Sequence, residues 1–214
     1  MSDATAEIEG LRQEIASLGA ELEKFHRFMN SLHTLAGSLR PTADEAELHG
    51  LLSKVLANAC EVIGAADGSV LVLDEEKDEL VFVLSCGDVP AGNLAWKRMP
   101  ADQGVAGWVV KNRKATVVNN AQADDRFYAQ IDTEVAFRTR SILAAPIVGD
   151  GRVLGAIEIL NKSEERLFNM DDEKMLSLLC RFAGELLQTL TRKSLANARI
   201  RIPQVARNEG HQPV

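Results

Sequence analysis

The stretch TRSILAAPIVGDGRVLGAIEILNK, Thr139–Lys162, decides the fold. Ser141–Val148 and Val153–Leu160 read as two strands, and the Gly149-Asp150-Gly151 link between them favours a tight hairpin. A second hairpin lies upstream. Ser69–Leu73 and Leu80–Ser85 are short, β-branched-rich runs on either side of the polar, turn-like Asp74–Glu79, and Cys86-Gly87-Asp88 closes them off.

The segments around these hairpins follow a helical period. Leu48, Leu51, Leu52, Val55, Leu56 and Val62 give one helix an apolar face, with Thr42 or Asp44 as its cap and Gly64 as its stop. Gly104 opens a short helix over Val105–Val110, and Ala115–Val118 is a short strand. Asn119–Arg138 reads as an irregular polar connection carrying Phe127, Tyr128 and Phe137. A last helix is predicted from about Asp171 to Leu190, with Met175, Leu178, Leu179, Phe182, Leu186, Leu187 and Leu190 on its apolar face. It begins with Asp171, Asp172 and Glu173, where the helix dipole favours acids. Strands clustered between helices predict an α+β fold with an antiparallel sheet flanked by helices.

A long helix precedes this unit. Ile8, Leu11, Ile15, Leu18, Leu22, Phe25, Met29 and Leu32 alternate spacings of three and four, and Ala36 and Leu39 extend the series until Pro41 ends it. That heptad period keeps one seam toward a partner helix, which predicts an N-terminal coiled coil and a homodimer. The other reading is a single amphipathic helix lying on its own domain. Three regions follow: a dimerisation helix over 1–40, a domain over 41–190 and a basic, flexible tail over 191–214 that holds Arg192, Lys193, Arg199, Arg201 and Arg207.

Composition narrows the function. A net charge of −7 supplies no basic field to attract nucleic acid. No apolar run approaches the length of a membrane span, and MSDATAEIEG lacks the apolar core of a leader. The three cysteines, Cys60, Cys86 and Cys180, show no CxxC spacing, and an odd number without a leader fits a reducing, cytoplasmic compartment. His26, His33, His49 and His211 all fall outside the strand region. No metal cluster, nucleophile–base arrangement, P-loop or GxGxxG motif is visible, so neither catalysis nor a cofactor is expected.

Four stretches, in this order, resemble the GAF domain family: Gly104–Val110 followed by Ala115–Val118, Asp124-Asp125-Arg126-Phe127, Thr139–Ile147, and Val153–Lys162. The resemblance runs from Ser69 to about Leu190 and implies a GAF-like sheet with a ligand pocket between the sheet and the loops above it. One further pattern is similar to GAF domains that bind cyclic nucleotides: Asn161-Lys162, then Phe168, then Asp172-Glu173 after three intervening residues. It implies a Lys162–Asp172 salt bridge that shapes the pocket. The same pair can equally be a structural lock between a strand end and a helix start, with Phe168 as a plug.

The expected site combines these features. The lid is Ala101–Lys111 and Asn119–Arg138. Phe127 and Tyr128 can stack on a planar ring. The backbone N–H groups of Val105 and Ala106 at a helix start can hold an anion, Arg138 and Arg140 can add charge, and Thr139 and Ser141 can donate hydrogen bonds. Glu158 interrupts an apolar run, so it must meet a ligand in a polar cavity or an arginine at the sheet edge. The family also has a branch that reduces free methionine sulfoxide with cysteines gathered over the pocket, and Cys86 alone is expected near that region here. The resulting expectation is a non-catalytic, dimeric sensor of a small ligand, with a cyclic nucleotide as candidate. It would pass its signal through the N- and C-terminal helices to a separate signalling protein, since no output domain follows Leu190. The alternative is a ligand-free dimerisation or docking module.

Overall fold

Successive side chains on a strand point to opposite faces. In β6 (Arg152–Leu160), Ile157 and Ile159 point one way, while Ala156, Glu158 and Leu160 point the other. In β5 (Ile142–Gly149), Leu143, Ala145 and Ile147 share the first face and Ile142 and Ala144 the second. A sheet that is apolar on both sides must be covered on both sides.

The computed structural model of the chain describes residues 8–16, 19–20, 22–23, 26–27, 45–88, 94–163 and 166–194. Among these residues six strands form one sheet in the order β3-β2-β1-β6-β5-β4, and every neighbouring pair is antiparallel. The other strands are β1 (Asp67–Asp74), β2 (Glu79–Cys86), β3 (Arg98–Pro100) and β4 (Thr116–Val118). The β5–β6 turn holds Asp150 at φ 50° and Gly151 at φ 70°, the double positive φ that a two-residue turn of this hand requires.

On the first face, the helices α2 (Glu45–Ile63) and α5 (Met170–Ser194) pack against Val70, Leu143, Ala145, Ile147, Ile157 and Ile159. α5 lies very close to β5. A Cβ on Gly184 would sit 2.2 Å from the carbonyl oxygen of Val148, and one on Gly149 would sit 2.3 Å from that of Gly184. Glycine at both positions lets helix and strand backbones touch. Residues 8–16 are also helical, labelled α1, and Ile8, Leu11 and Ile15 on it are exposed, as is Leu22.

The second face is covered by α3 (Gly104–Asn112) and the segment after β4. Here the structure departs from the sequence reading. Residues 119–138 are not irregular: they hold a 3-10 turn at Ala121–Ala123 and a helix, α4 (Ala129–Val135), which ends where Ala136 turns left-handed at φ 54°. The edge strand β3 is also new, a three-residue pairing too short to show a period.

On α5 it is Leu176 that is buried and Leu178 that is exposed, because the contact stripe runs through Asp172, Leu176, Leu179, Cys180, Ala183 and Leu186. α5 also continues to Ser194, so Arg192 and Lys193 are helical rather than part of a tail. The expectations for Leu18, Phe25, Met29, Leu32 and Pro41, and for the tail beyond Ser194, lie outside the described residues. No described helix is long and apolar enough to cross a membrane.

Candidate functional site

Between the second face and its cover lies a cavity of about 60 Å³. Its floor is the sheet: Ser69 on β1, Phe82 on β2, Ile142 on β5 and Glu158 on β6. Its roof is the start of α3 and the lid, with Phe127, Tyr128, Asp132 and Phe137. The volume admits a few water molecules. It falls far short of the roughly 300 Å³ at which small-molecule sites begin.

Glu158 is the polar group on this floor, paired across strands with Ser69 and Ala144. Its carboxyl is enclosed by protein and opens only onto the cavity. Burial pushes its pKa up to about 7; the Ala106 N–H, donating to it, acts the other way, and repulsion from Asp132 adds to the rise. The N-terminus of α3 therefore presents its free N–H to the chain's own carboxylate, and the partner of Glu158 is Ala106 rather than an arginine at the sheet edge. Asp132 is anchored by Thr139, which donates from its N–H and from its hydroxyl, each at 2.7 Å. Two carboxylates thus face one cavity, and no lysine, arginine or histidine lines it.

The Asp124-Asp125-Arg126-Phe127 stretch holds the lid. Asp124 accepts the Arg126 N–H at 3.0 Å and its guanidinium at 2.8 and 2.7 Å, while the Arg126 guanidinium stacks 4.9 Å from the Trp108 ring on α3. Arg126 holds the Asp124 carboxyl below the usual carboxylate range. The turn this locks places Phe127 and Tyr128 in the roof. Outside, Tyr128 donates to Gln130, Gln130 donates to Glu134, and Lys97 donates to Glu134 at 2.6 Å. These last contacts are solvent-exposed or nearly so and hold weakly.

The Asn161, Lys162, Phe168, Asp172 and Glu173 group forms a separate cluster outside the cavity lining, with Phe168 in the core beneath α2 and α5. Asn161 is left-handed at φ 52°. Its side chain accepts the Arg140 N–H at 2.7 Å and donates to the Arg138 carbonyl at 3.0 Å, clamping the entry to β5. Lys162 donates to Asp172, and both side chains are buried, so the pair is not a surface contact. Lys162 also lies 5.8 Å from the centre of the Phe168 ring. Asp172 accepts the Asn169 N–H while Asn169 accepts the N–H groups of Asp171 and Asp172, a reciprocal cap on α5. Phe168 is pinned by Asn119, whose side chain both accepts its N–H and donates to its carbonyl. Glu173 donates its N–H to the Asn169 carbonyl.

Of the residues expected to bind a ligand, Val105, Ala106, Phe127, Tyr128 and Glu158 line the cavity together. Arg140 and Ser141 do not. Arg140 is exposed, and both give their backbone N–H to the Asn161 side chain, while Thr139 and Ile142 on either side of them line the cavity. Cys86 is not in the lining either; it packs on the α2 side of the sheet. Thr139, a candidate donor from the sequence, does line the cavity, whereas Asp132 carries no sequence signal, since a seven-residue helix leaves little periodic pattern.

A six-stranded antiparallel sheet with two helices on one face and a lidded cavity on the other is a GAF-like α+β architecture. The chain belongs to the GAF domain family, whose profile matches residues 45–188. Among curated relatives, it is 28% identical over 155 residues to the dual 3',5'-cyclic-AMP and -GMP phosphodiesterase 11A of Takifugu rubripes, covering 68% of this chain and 17% of that protein. It is 32% identical over 106 residues to the rod cGMP-specific 3',5'-cyclic phosphodiesterase subunit alpha of Canis lupus familiaris, covering 50% of this chain and 12% of that one. The chain thus spans less than a fifth of the length of either relative. Among solved structures, the GAF domain of a phosphoenolpyruvate-protein phosphotransferase from Coxiella burnetii superposes with a TM-score of 0.64 at 18% identity, covering 79% of this chain and 98% of that one.

Two outcomes follow. Lys162→Ala removes the buried cation paired with the Asp172 carboxylate and should cost about 3–5 kcal/mol in denaturant unfolding, with Lys162→Met/Asp172→Leu recovering part of it; a loss below about 1 kcal/mol would show that the pair contributes no more than a surface contact. Glu158 gives a pH signature. Its raised pKa means the folded chain keeps a proton that the unfolded chain has already released. Its contribution to stability is full below the ordinary value of 4.5 and is lost as pH rises to about 7. Glu158→Gln removes that titration, so its melting temperature should gain on the parent's between about pH 5 and about pH 8. A constant difference across that range would refute the assignment.

Proposed function

We propose that this chain is a dimeric, non-catalytic sensory protein that takes a small ligand into the Glu158 cavity and regulates a separate output partner through the helices at its two ends. The observation carrying this reading is the pairing of a buried acceptor with a weakly latched lid. Glu158 sits against the Ala106 N–H under Phe127, Tyr128 and Phe137, and the outer contacts of α4 are exposed. A cavity of about 60 Å³ accepts a metabolite only when this lid is displaced, so binding and lid movement are one event.

The cavity chemistry favours a planar ligand with hydrogen-bond donors. With two carboxylates and no cationic side chain in the lining, a phosphate placed on the start of α3 would have to displace Glu158. A cyclic nucleotide fits best with its base inward, donating N–H groups to Glu158 and stacking on the aromatics. The cyclic-nucleotide phosphodiesterases among the relatives make this ligand class the first to test. The Lys162–Asp172 pair and Phe168 then serve to hold the sheet edge beneath the ligand.

The small cavity also favours a second reading, in which its own side chains fill it and the domain acts as a ligand-free dimerisation or docking module. Dimerisation is common to both readings. It is supported by the heptad series and by the exposure of Ile8, Leu11 and Ile15 on α1 and of Leu178 on α5.

Thermal melting with millimolar cyclic AMP, cyclic GMP and a metabolite panel separates the two. One ligand should raise the midpoint by roughly 5 °C or more, and less in Glu158→Gln. No shift from any of them, in a protein that melts cooperatively, leaves the docking module. For the dimer, sedimentation equilibrium should give twice the chain mass, and Leu11→Glu/Ile15→Glu should give monomers that keep the domain's melting transition. A monomeric parent chain would overturn the coiled-coil reading.

A further inference from the structure

Cys60 and Cys86 are 26 residues apart in sequence, yet their sulfurs lie 3.2 Å apart. Cys60 is in the last turn of α2 and Cys86 is the last residue of β2. The backbone between them is shaped to allow this approach. Gly68 stands opposite Cys86 in the β1–β2 register, and a Cβ there would come within 3.2 Å of the Cys60 sulfur. Gly87, at φ 78°, turns the chain directly after Cys86, where a Cβ would collide with Asp67 Oδ1 at 2.3 Å.

The two thiols differ in the way a reactive pair must. Cys86 is half-buried and reachable from solvent, whereas Cys60 is buried beneath it. Burial keeps Cys60 protonated, so its S–H is the better donor to the Cys86 sulfur. That hydrogen bond draws the Cys86 thiol below its ordinary value, against the opposing effects of burial and of the Asp67 carboxylate. Cys60 is pushed far up by the same hydrogen bond and by burial. Cys180 provides an internal contrast: it is fully buried near the Ala145 carbonyl with its thiol pushed up.

We propose that Cys60 and Cys86 are a redox modification site at which hydrogen peroxide closes an intramolecular disulfide between α2 and β2. The Cys86 thiolate attacks one peroxide oxygen. The S–O bond forms as the O–O bond breaks, and the departing hydroxide leaves as water with the proton Cys86 had released. The Cys60 sulfur then attacks the Cys86 sulfenic acid. The S–S bond forms, the S–O bond breaks, and the second hydroxide leaves as water with the proton of Cys60. Two thiols are oxidised by two electrons and one peroxide is reduced to two waters. The sulfurs need close only from 3.2 Å to about 2.05 Å. The bridge pins the last turn of α2 to the sheet, and so adds an input distinct from the cavity on the opposite face.

The reduced full-length chain, treated with hydrogen peroxide and then alkylated with N-ethylmaleimide in denaturant, tests this by intact mass and peptide mapping. The oxidised chain should carry one label rather than the three of the reduced chain, with a Cys60–Cys86 linked peptide and the label on Cys180. Dithiothreitol should restore all three. In Cys60→Ser, Cys86 should accumulate as a dimedone-reactive sulfenic acid, and in Cys86→Ser the peroxide should leave Cys60 unmodified. Three labels after peroxide, a bridge between chains, or Cys86 driven to its sulfonic acid while Cys60 stays free would each overturn the proposal. If a serine variant does not fold, peptide mapping of the parent chain still decides it.

Discussion

A sheet buried on both faces permits few polar side chains, and that constraint organises this domain. The interior strands β5 and β6 are apolar in both directions, so α2 and α5 must cover one side while α3 and the lid cover the other. Glu158 is the exception in β6. An ionised carboxylate in such a layer needs a donor and some polar space, and the Ala106 N–H and the cavity supply both. The cavity is thus a consequence of putting one acid into a strand that otherwise reads as core.

The end of β6 ties the layers together. Asn161 turns left-handed and clamps the segment entering β5, and the next residue, Lys162, reaches the first turn of α5. Asp172 receives that lysine while completing the cap of the same helix, and Phe168 fills the space between them. Residues on the α5 side of the sheet therefore set the position of backbone that borders the cavity on the other side. Hydrogen bonds run in series from the lid to α5: Thr139 to Asp132, the backbone of Arg138 and Arg140 to Asn161, and the adjacent Lys162 to Asp172.

How much of the site could be read in advance depended on signal length. Glu158 stood out because a charge inside an apolar run breaks a long and clear pattern. Lys162, Phe168 and Asp172 stood out as a spaced motif, but their burial could not be read from spacing, and it turns an exposed pair of small effect into one that is costly to break. α4 leaves no such signal, because seven residues make barely two turns and Ala129–Val135 carries too few apolar positions to display a helical period. Arg140 adjoins Thr139, which lines the cavity, yet its own side chain is exposed, and spacing alone does not say which way either points. Cys60 and Cys86 showed no motif at all; their proximity arises from where α2 ends over the last residue of β2.

The sequence by itself determined the two hairpins and the helices with strong amphipathic stripes, because each is written in local periodicity and turn chemistry. Tertiary structure alone decided that Glu158 meets the start of α3, that Asp132 joins it from the lid, and that two distant cysteines touch. Those contacts join segments far apart in the chain. Their geometry follows from how α3, α4 and α2 settle on the sheet, and no local pattern of residues records that.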